Sequence, residues 1–403
     1  MIDLAVVGAG AAGIAAARAA QERGLTCIIL EASDRIGGRA YTVDWQGHPL
    51  DLGATWMHST GRNPLVPLAE QAGVAIDRAP TPWRGQYRNL GYSETDQAES
   101  WAAMQAFTSR LRDNPPQSDR ASDALEPGGQ WNGFIEALNG YLNGTSLAKT
   151  SAADFMAYWD ASENSNWRLP QGYGALIGAL GKRLDVRTGC VVRRVDWSGA
   201  AVRVTSEQGT LEAKHAIIAV PTNALASGAI AFSPSLDDHL HAAAGLPLGR
   251  VEKLFLRLSD AESAPANAHL VGSPRSAETG SYMLRPLGSP TIECFFGGDW
   301  LDGMSEDDLV SKSRDELGGL LGADFARSLQ PVAYSDWKQH DFICGSYSFA
   351  RPGQHRARAS LRERVDGPIA LAGEACSDTD YATVHGAWES GRKAVGQLFG
   401  KVA

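Results

Sequence analysis

The first forty residues restrict this chain more than any other stretch. "IDLAVVGAG" is a short apolar run that passes straight into glycines, "AAGIAAARAAQERG" is rich in alanine, and "LTCIILE" is a second apolar run that ends on Glu31. Short apolar runs bounded by turn residues read as buried parallel strands. The alanine stretch between them reads as a helix able to pack closely on a sheet, with Gly24 as a left-handed cap. Gly8, Gly10 and Gly13 therefore form G-x-G-x-x-G between a strand and a helix. In that position the first glycine makes a tight turn, the second lets backbone approach a pyrophosphate, and the third allows helix to touch strand. The helix start at Ala11 and Ala12 adds partial positive charge. Glu31, followed by Ala32, stands where an acid accepts hydrogen bonds from a ribose. A dinucleotide site is expected here.

Bulk properties exclude several classes. Lys and Arg number 37 against 46 for Asp and Glu, a net charge of −9, which argues against a general nucleic-acid surface. The five cysteines are scattered, with no Cys-x-x-Cys pair to suggest zinc or a dithiol, and read as free thiols in a reducing compartment. The first strand starts at Met1, which leaves no room ahead of it for a secretory leader, and no apolar run reaches the roughly 18 residues of a membrane span. A cytoplasmic protein, monomer or homodimer, with no membrane or nucleic-acid partner and no metal, is expected.

Further along, residues 81–167 carry many Trp, Asn, Ser and Pro with amphipathic pieces such as "ESWAAMQAFTSRLRD", and read as a largely helical insertion. "LPQGYGALIGALGKRL" returns to helix. "DVRTGCVVRRVDW", "AAVRVTSEQ" and "GTLEAKHAIIAVP" are three strand-like runs, a β-meander attached to the nucleotide unit. "RVEKLFLRL" and "TIECFFGGDW" alternate as strands of a second sheet. "GPIALAGEACSDTDYATVHGAWESGRKAVGQLF" is a strand, a polar loop and an amphipathic helix with Val384, Ala387, Trp388, Gly391, Val395 and Leu398 on one face. The expected fold is α/β: a Rossmann-like dinucleotide unit of parallel sheet plus meander (1–76, 181–224 and 343–403), interleaved with an α+β substrate unit (77–180 and 225–342).

The residues after Glu31 narrow the cofactor. "RIGGRAYT" sets Gly37 and Gly38 against Arg39, a second backbone turn followed by a permanent cation. "E-A-x-x-R-x-G-G-R" resembles the N-terminal signature of the flavin-containing amine oxidases, which include monoamine oxidases, polyamine oxidases and lysine-specific histone demethylases. "DLGATWMHSTGRNPLVPLAEQAG" resembles the polyamine-oxidase form in particular. The resemblance implies that Gly53, Ala54 and Thr55 lie at the flavin of an FAD, with Trp56 and His58 near its substrate face. "LGRVEKLFLRL" is similar to the family segment whose lysine, here Lys253, contacts flavin N5 through a water and assists reaction with oxygen.

"DWKQHDFICGSYSFARPG" resembles the region holding a flavin-facing tryptophan and an aromatic wall, here Trp337 and Tyr347. Monoamine oxidases attach flavin through a cysteine just before that tyrosine; Ser346 stands there and Cys344 is out of register, so the FAD is expected to be non-covalent. In "LAGEACSDTDYATVHGAWESGRKAV" a strand delivers Gly373 and Glu374, and Thr383 and Val384 open a helix whose N–H groups face negative charge at flavin N1 and O2. Thr383 is also a natural N-cap. "GCVVRRV" is similar to the strand that binds adenine, through Val192.

Together these imply oxidation of a primary or secondary amine at its C–N bond. A hydride equivalent passes to flavin N5, the imine hydrolyses, and oxygen becomes hydrogen peroxide. A polyamine-like substrate is favoured, with Asp160 and Glu163 as candidate partners for distal ammonium groups, although solvation at the surface is the preferred reading of either acid. The alternatives are a monoamine oxidase for a smaller amine, an amino-acid oxidase or monooxygenase using Arg84 or Arg168 for a carboxylate, and a flavin-binding module without turnover.

Overall fold

A computed structural model of the chain describes residues 1–400, with Arg84 described by its backbone alone. The glycine turn forms as its pattern requires: β1 (Ile2–Val7), α1 (Ala11–Gln21) and β2 (Cys27–Leu30) make a parallel unit in register Val6 to Ile29. A hairpin of β3 (Thr42–Trp45) and β4 (His48–Asp51) follows, then β5 (Trp56–His58) and α2 (Leu65–Gln71). Three helices, α3 (Glu94–Asp113), α4 (Asn132–Asn143) and α5 (Ala152–Ala161), share one apolar cluster around Phe107, Phe134 and Phe155. Capping fixes their starts: Ser93 and Asp96 close a reciprocal box on α3, and Ser151 accepts from Asp154 N on α5. β6 (Asn166–Arg168) then pairs antiparallel with β5, and α6 (Tyr173–Gly181) lies on α1.

The first sheet gathers β7 (Val186–Arg187), the meander β8 (Val192–Asp196), β9 (Val202–Ser206) and β10 (Gly209–Ile218), and the later strands β11 (Ala231–Ser233) and β17 (Ile369–Leu371). Its order is β11-β8-β9-β10-β1-β2-β7. β10 is long enough to pair antiparallel with β9 through its first half and parallel with β17 through its second. α7 (Thr222–Ala226) and α8 (Asp237–Ala244) cover one side, with α11 (Ala357–Arg362). α1 and α12 (Val384–Phe399) cover the other through Ala12, Ala16, Ala394 and Val395.

The second sheet is antiparallel, in the order β13 (Ala268–Val271), β14 (Ser281–Leu284), β15 (Thr291–Gly297), β12 (Val251–Arg257) and β16 (Gln330–Tyr334). One face, with Leu254, Tyr282, Cys294 and Phe296, packs with Leu309 and Leu317 of α9 (Glu306–Leu321), next to the short α10 (Ala323–Ser328).

Two stretches pack differently from the expected division. Residues 225–246, expected with the substrate unit, join the core of the first sheet, because β11 pairs β8 and buries Leu236, Ala243 and Leu246 beside Val195 and Ile369. α6, also expected with that unit, buries Leu176, Ile177 and Leu180 against Ile14 and Ala15. Among the described residues no helix is long and apolar enough to cross a membrane.

Candidate active site

One cavity of about 1090 Å³ runs between the two sheets, at or above the roughly 300–1,000 Å³ of ordinary small-molecule pockets. At one end it meets the start of α1. Gly10 caps that helix without a side-chain partner, so the N–H groups of its first turn point forward unmet by any cap. A Cβ at Gly10 would touch nothing within 4 Å, whereas one at Gly13 would come 1.9 Å from Gly8 O. Gly13 is therefore demanded by helix-to-strand contact, while nothing in the protein demands Gly10: the space before it belongs to the cavity.

Around this end lie Gly8, Ala11, Ala12, Glu31, Ala32, Gly37, Gly38, Arg39 and Val192. The Glu31 carboxylate accepts from Ala9 N at 2.6 Å and Ser33 N at 2.9 Å, which holds it in the wall. Arg39 is paired rather than free: it donates to Ser346 O at 2.5 Å and Glu374 Oε1 at 3.0 Å. Glu374 also takes Ser348 N and Ala382 N, and so ties the loop before α12. Burial works to raise its pKa, but Arg39 and Arg358 prevail and the net shift is downward. Gly373, Thr383 and Val384 line the same wall; Thr383 Oγ1 accepts from Gly386 N at 3.0 Å, the expected N-cap.

The middle of the cavity is the free face of the second sheet. Alternation places Val251 and Lys253 of β12, Glu293 and Phe295 of β15, Ser281 and Met283 of β14, and His269 and Val271 of β13 on this side. Opposite them stand Gly53, Ala54, Thr55 and Trp56, with Trp337 held by its indole N–H on Leu52 O at 3.1 Å. Lys253, 6% exposed, donates to Glu293 Oε1 at 2.9 Å, to Asp51 O at 3.0 Å and to Thr55 Oγ1. Arg168 takes the other Glu293 oxygen at 2.7 Å. Burial raises the Asp51 carboxyl to about 6 against the pull of Lys253.

Beyond Lys253 the cavity becomes aromatic, with Trp83, Trp101, Phe134, Tyr141, Tyr158 and Tyr347. Tyr347 donates its hydroxyl to Tyr141 O, and the ring of Trp83 meets Trp56 edge-on at 4.3 Å. His58 is bonded to Asn166 Oδ1 at 2.7 Å, and burial lowers its pKa to about 4; burial does the same to His269. Both imidazoles are neutral near pH 7.

The flavin containing amine oxidoreductase description matches residues 11–398. The chain belongs to that family. Polyamine oxidase 2 of Arabidopsis thaliana is 28% identical to this flavin amine oxidoreductase over 442 residues, 96% of this chain and 86% of the relative. A putrescine oxidase bound to putrescine shares the fold with a TM-score of 0.82 at 21% identity, over 99% of both chains. Cyclohexylamine oxidase from Brevibacterium oxydans IH-35A does so with 0.80 at 22%, over 98% of both.

A flavin is the cofactor such a chain carries, and the cavity fits one: unmet helix N–H groups at one end, a glycine-cleared approach, and a buried cation at mid-length. Every residue expected at the site lines this cavity except Gly13, which acts from behind it. Two further candidates are reassigned. Asp160 is outside the lining, held at the surface by Arg112 at 2.5 Å, and Arg168 is closed off by Glu293. Glu163 lines the rim, with its side chain 43% exposed beside Arg62. The side chain of Arg84 lies outside the described residues.

Glu293, Phe295 and Tyr141 were not anticipated. For the first two the signal was present: in "TIECFFG" an acid alternates with apolar residues inside a buried strand. Gly10→Ala is expected to lower the melting temperature of the apoprotein by only a few degrees and to weaken flavin binding on the order of tenfold or more. Gly13→Ala is expected to lose both. Flavin titration of melted and refolded controls checks this, and unchanged affinity in Gly10→Ala would remove the cradle.

Proposed function

We propose that the chain is an FAD-dependent amine oxidase that holds its cofactor without a covalent bond and passes electrons from amine to oxygen. The continuity of the cavity carries this reading: one space joins the α1 N-terminus, Lys253 and an aromatic chamber. In it the first sheet with residues 1–76, 173–246 and 343–403 serves the cofactor, and the second sheet with α3 to α5 serves the amine. The flavin supplies the two-electron acceptor for oxidation of the carbon next to nitrogen and the donor to oxygen.

The protein's share is placement and dryness. The first-turn N–H groups of α1 would hold the diphosphate and Glu31 would hold the adenosine ribose. Thr383 fixes the start of α12, whose N-terminus favours negative charge on the ring. Trp56, Phe295, Tyr347 and Trp337 exclude water and hold the amine's body, with ring faces able to accept a cation. Neutral His58 and His269 do not compete for that place. Non-covalent binding is supported by Ser346, which stands where the attaching cysteine would be and donates its hydroxyl to Gly249 O; Cys344 also lines the cavity, two residues out of register.

The chamber favours an amine with an apolar or aromatic body. Among the described residues its carboxylates are Glu293, already between two cations, and Glu163 at the rim. A polyamine is the second reading, favoured by Glu163 as a partner for one distal ammonium. Of the two arginines offered for an amino acid's carboxylate, Arg168 is taken by Glu293. Acid precipitation is expected to release all the yellow colour to the supernatant; colour left in the pellet would count against non-covalent FAD. Anaerobic mixing with phenylalkylamines, alkylamines, putrescine, spermidine, spermine and amino acids is expected to bleach the flavin fastest with the apolar amines. Fastest bleaching by spermine would choose the second reading, and bleaching by none would reject an amine oxidase.

A further inference from the structure

We propose that Glu293 is the positioning residue of the oxidative half-reaction: it fixes the Lys253 ammonium in the cavity wall and ties it to Arg168. The inference rests on the reading of Lys253 given above. An ammonium has three donors, and here each has a protein acceptor: Glu293 Oε1, Asp51 O and Thr55 Oγ1. These three contacts fix where the ammonium stands in the cavity wall. A fixed charge in a dry wall stabilises developing negative charge without having to reorganise.

Two of the three acceptors, Asp51 O and Thr55 Oγ1, are neutral. Glu293 is the carboxylate that touches Nζ directly, while the Asp51 carboxyl feels the same charge without an ion-pair contact among the described residues. Glu293 can do so because strand register puts it diagonal to Lys253 on the same face: Lys253 opposes Phe295, and Glu293 lies two residues before Phe295. Lys253, Glu293 and Arg168 are 6, 6 and 8% exposed, so an unpaired member would be a buried charge without a partner. Burial pushes the Glu293 pKa up, but Lys253 and Arg168 outweigh it and hold the carboxyl ionised. Arg168 belongs to β6, paired with β5, and its guanidinium carbon stands 4.8 Å from the Trp56 ring centre. The carboxylate therefore couples the lysine to a wall of the substrate chamber. Both of its oxygens being taken by cations, it is not left over for an amine substrate.

The test uses flavin-loaded enzyme and separates the half-reactions. In E293Q, kcat/KM for oxygen is expected to fall about tenfold, while kcat/KM for the amine falls less than threefold. E293D, which restores the charge, should recover most of the loss, and E293Q should add nothing to K253M. Loss confined to the amine would show that Glu293 binds substrate and would overturn the proposal, as would unchanged oxygen kinetics or additive effects with K253M. If K253M itself reacts normally with oxygen, the role of Lys253 fails. Glu293 is then judged by crystal structures of E293Q and the parent: displacement of Nζ from Asp51 O supports positioning, and an unmoved Nζ overturns it.

Discussion

Lys253→Met is expected to slow reaction of the reduced enzyme with oxygen on the order of 100-fold, while reduction by amine changes only severalfold. Methionine keeps the length and apolar stem of lysine and removes the charge. Glu293 retains Arg168 at 2.7 Å, so the substitution does not strand a buried anion. The fold and the flavin content should therefore survive, and the loss should appear in one half-reaction alone. Stopped-flow reoxidation of dithionite-reduced enzyme measures it without any knowledge of the substrate. A rate within twofold of the parent would remove Lys253 from the oxygen reaction.

The second large effect concerns assembly. Asp154→Ala is expected to destabilise the fold by about 3–5 kcal/mol, because it leaves the guanidinium of Arg358 buried without its counter-ion. The pair is bidentate, Nε to Oδ1 at 2.6 Å and Nη2 to Oδ2 at 2.9 Å, and Arg358 is fully buried. Ser348 Oγ accepts from Arg358 at 2.9 Å, and the Tyr381 ring lies 3.6 Å beneath the guanidinium carbon. Asp154 sits on α5 while Arg358 and Tyr381 belong to the first-sheet side, so this contact joins the roof of the chamber to the cofactor wall. A urea midpoint unchanged in Asp154→Ala would show that the roof is held by other means.

Much of the cofactor end was legible because its determinants are local. A strand, three glycines and a helix lie within 21 residues, and each glycine answers a contact or an opening made by its neighbours. The same holds for Thr383 at the head of α12. The chamber was less legible because it is assembled across strands. Lys253 and Glu293 are 40 positions apart and meet only through the register of β12 and β15, which no spacing in the sequence reveals. The expected boundary at 225 missed β11 for a related reason: three residues, Ala231–Ser233, form too short a run to declare their pairing with β8. Asp160 and Glu163 share one polar stretch, yet the end of α5 turns the first outward to Arg112 and leaves the second at the rim.

The double pairing of β10 also sets an order of events during synthesis. Ala216 to Ile218 stay without one neighbour until Ile369–Leu371 emerge, about 150 residues later and after the whole second sheet. Contacts so distant in sequence form slowly. The nascent chain can thus make its glycine turn early, but the cavity wall bearing Gly373, Glu374 and Thr383 closes only when β17 arrives, which makes completion of the cavity a late step in folding.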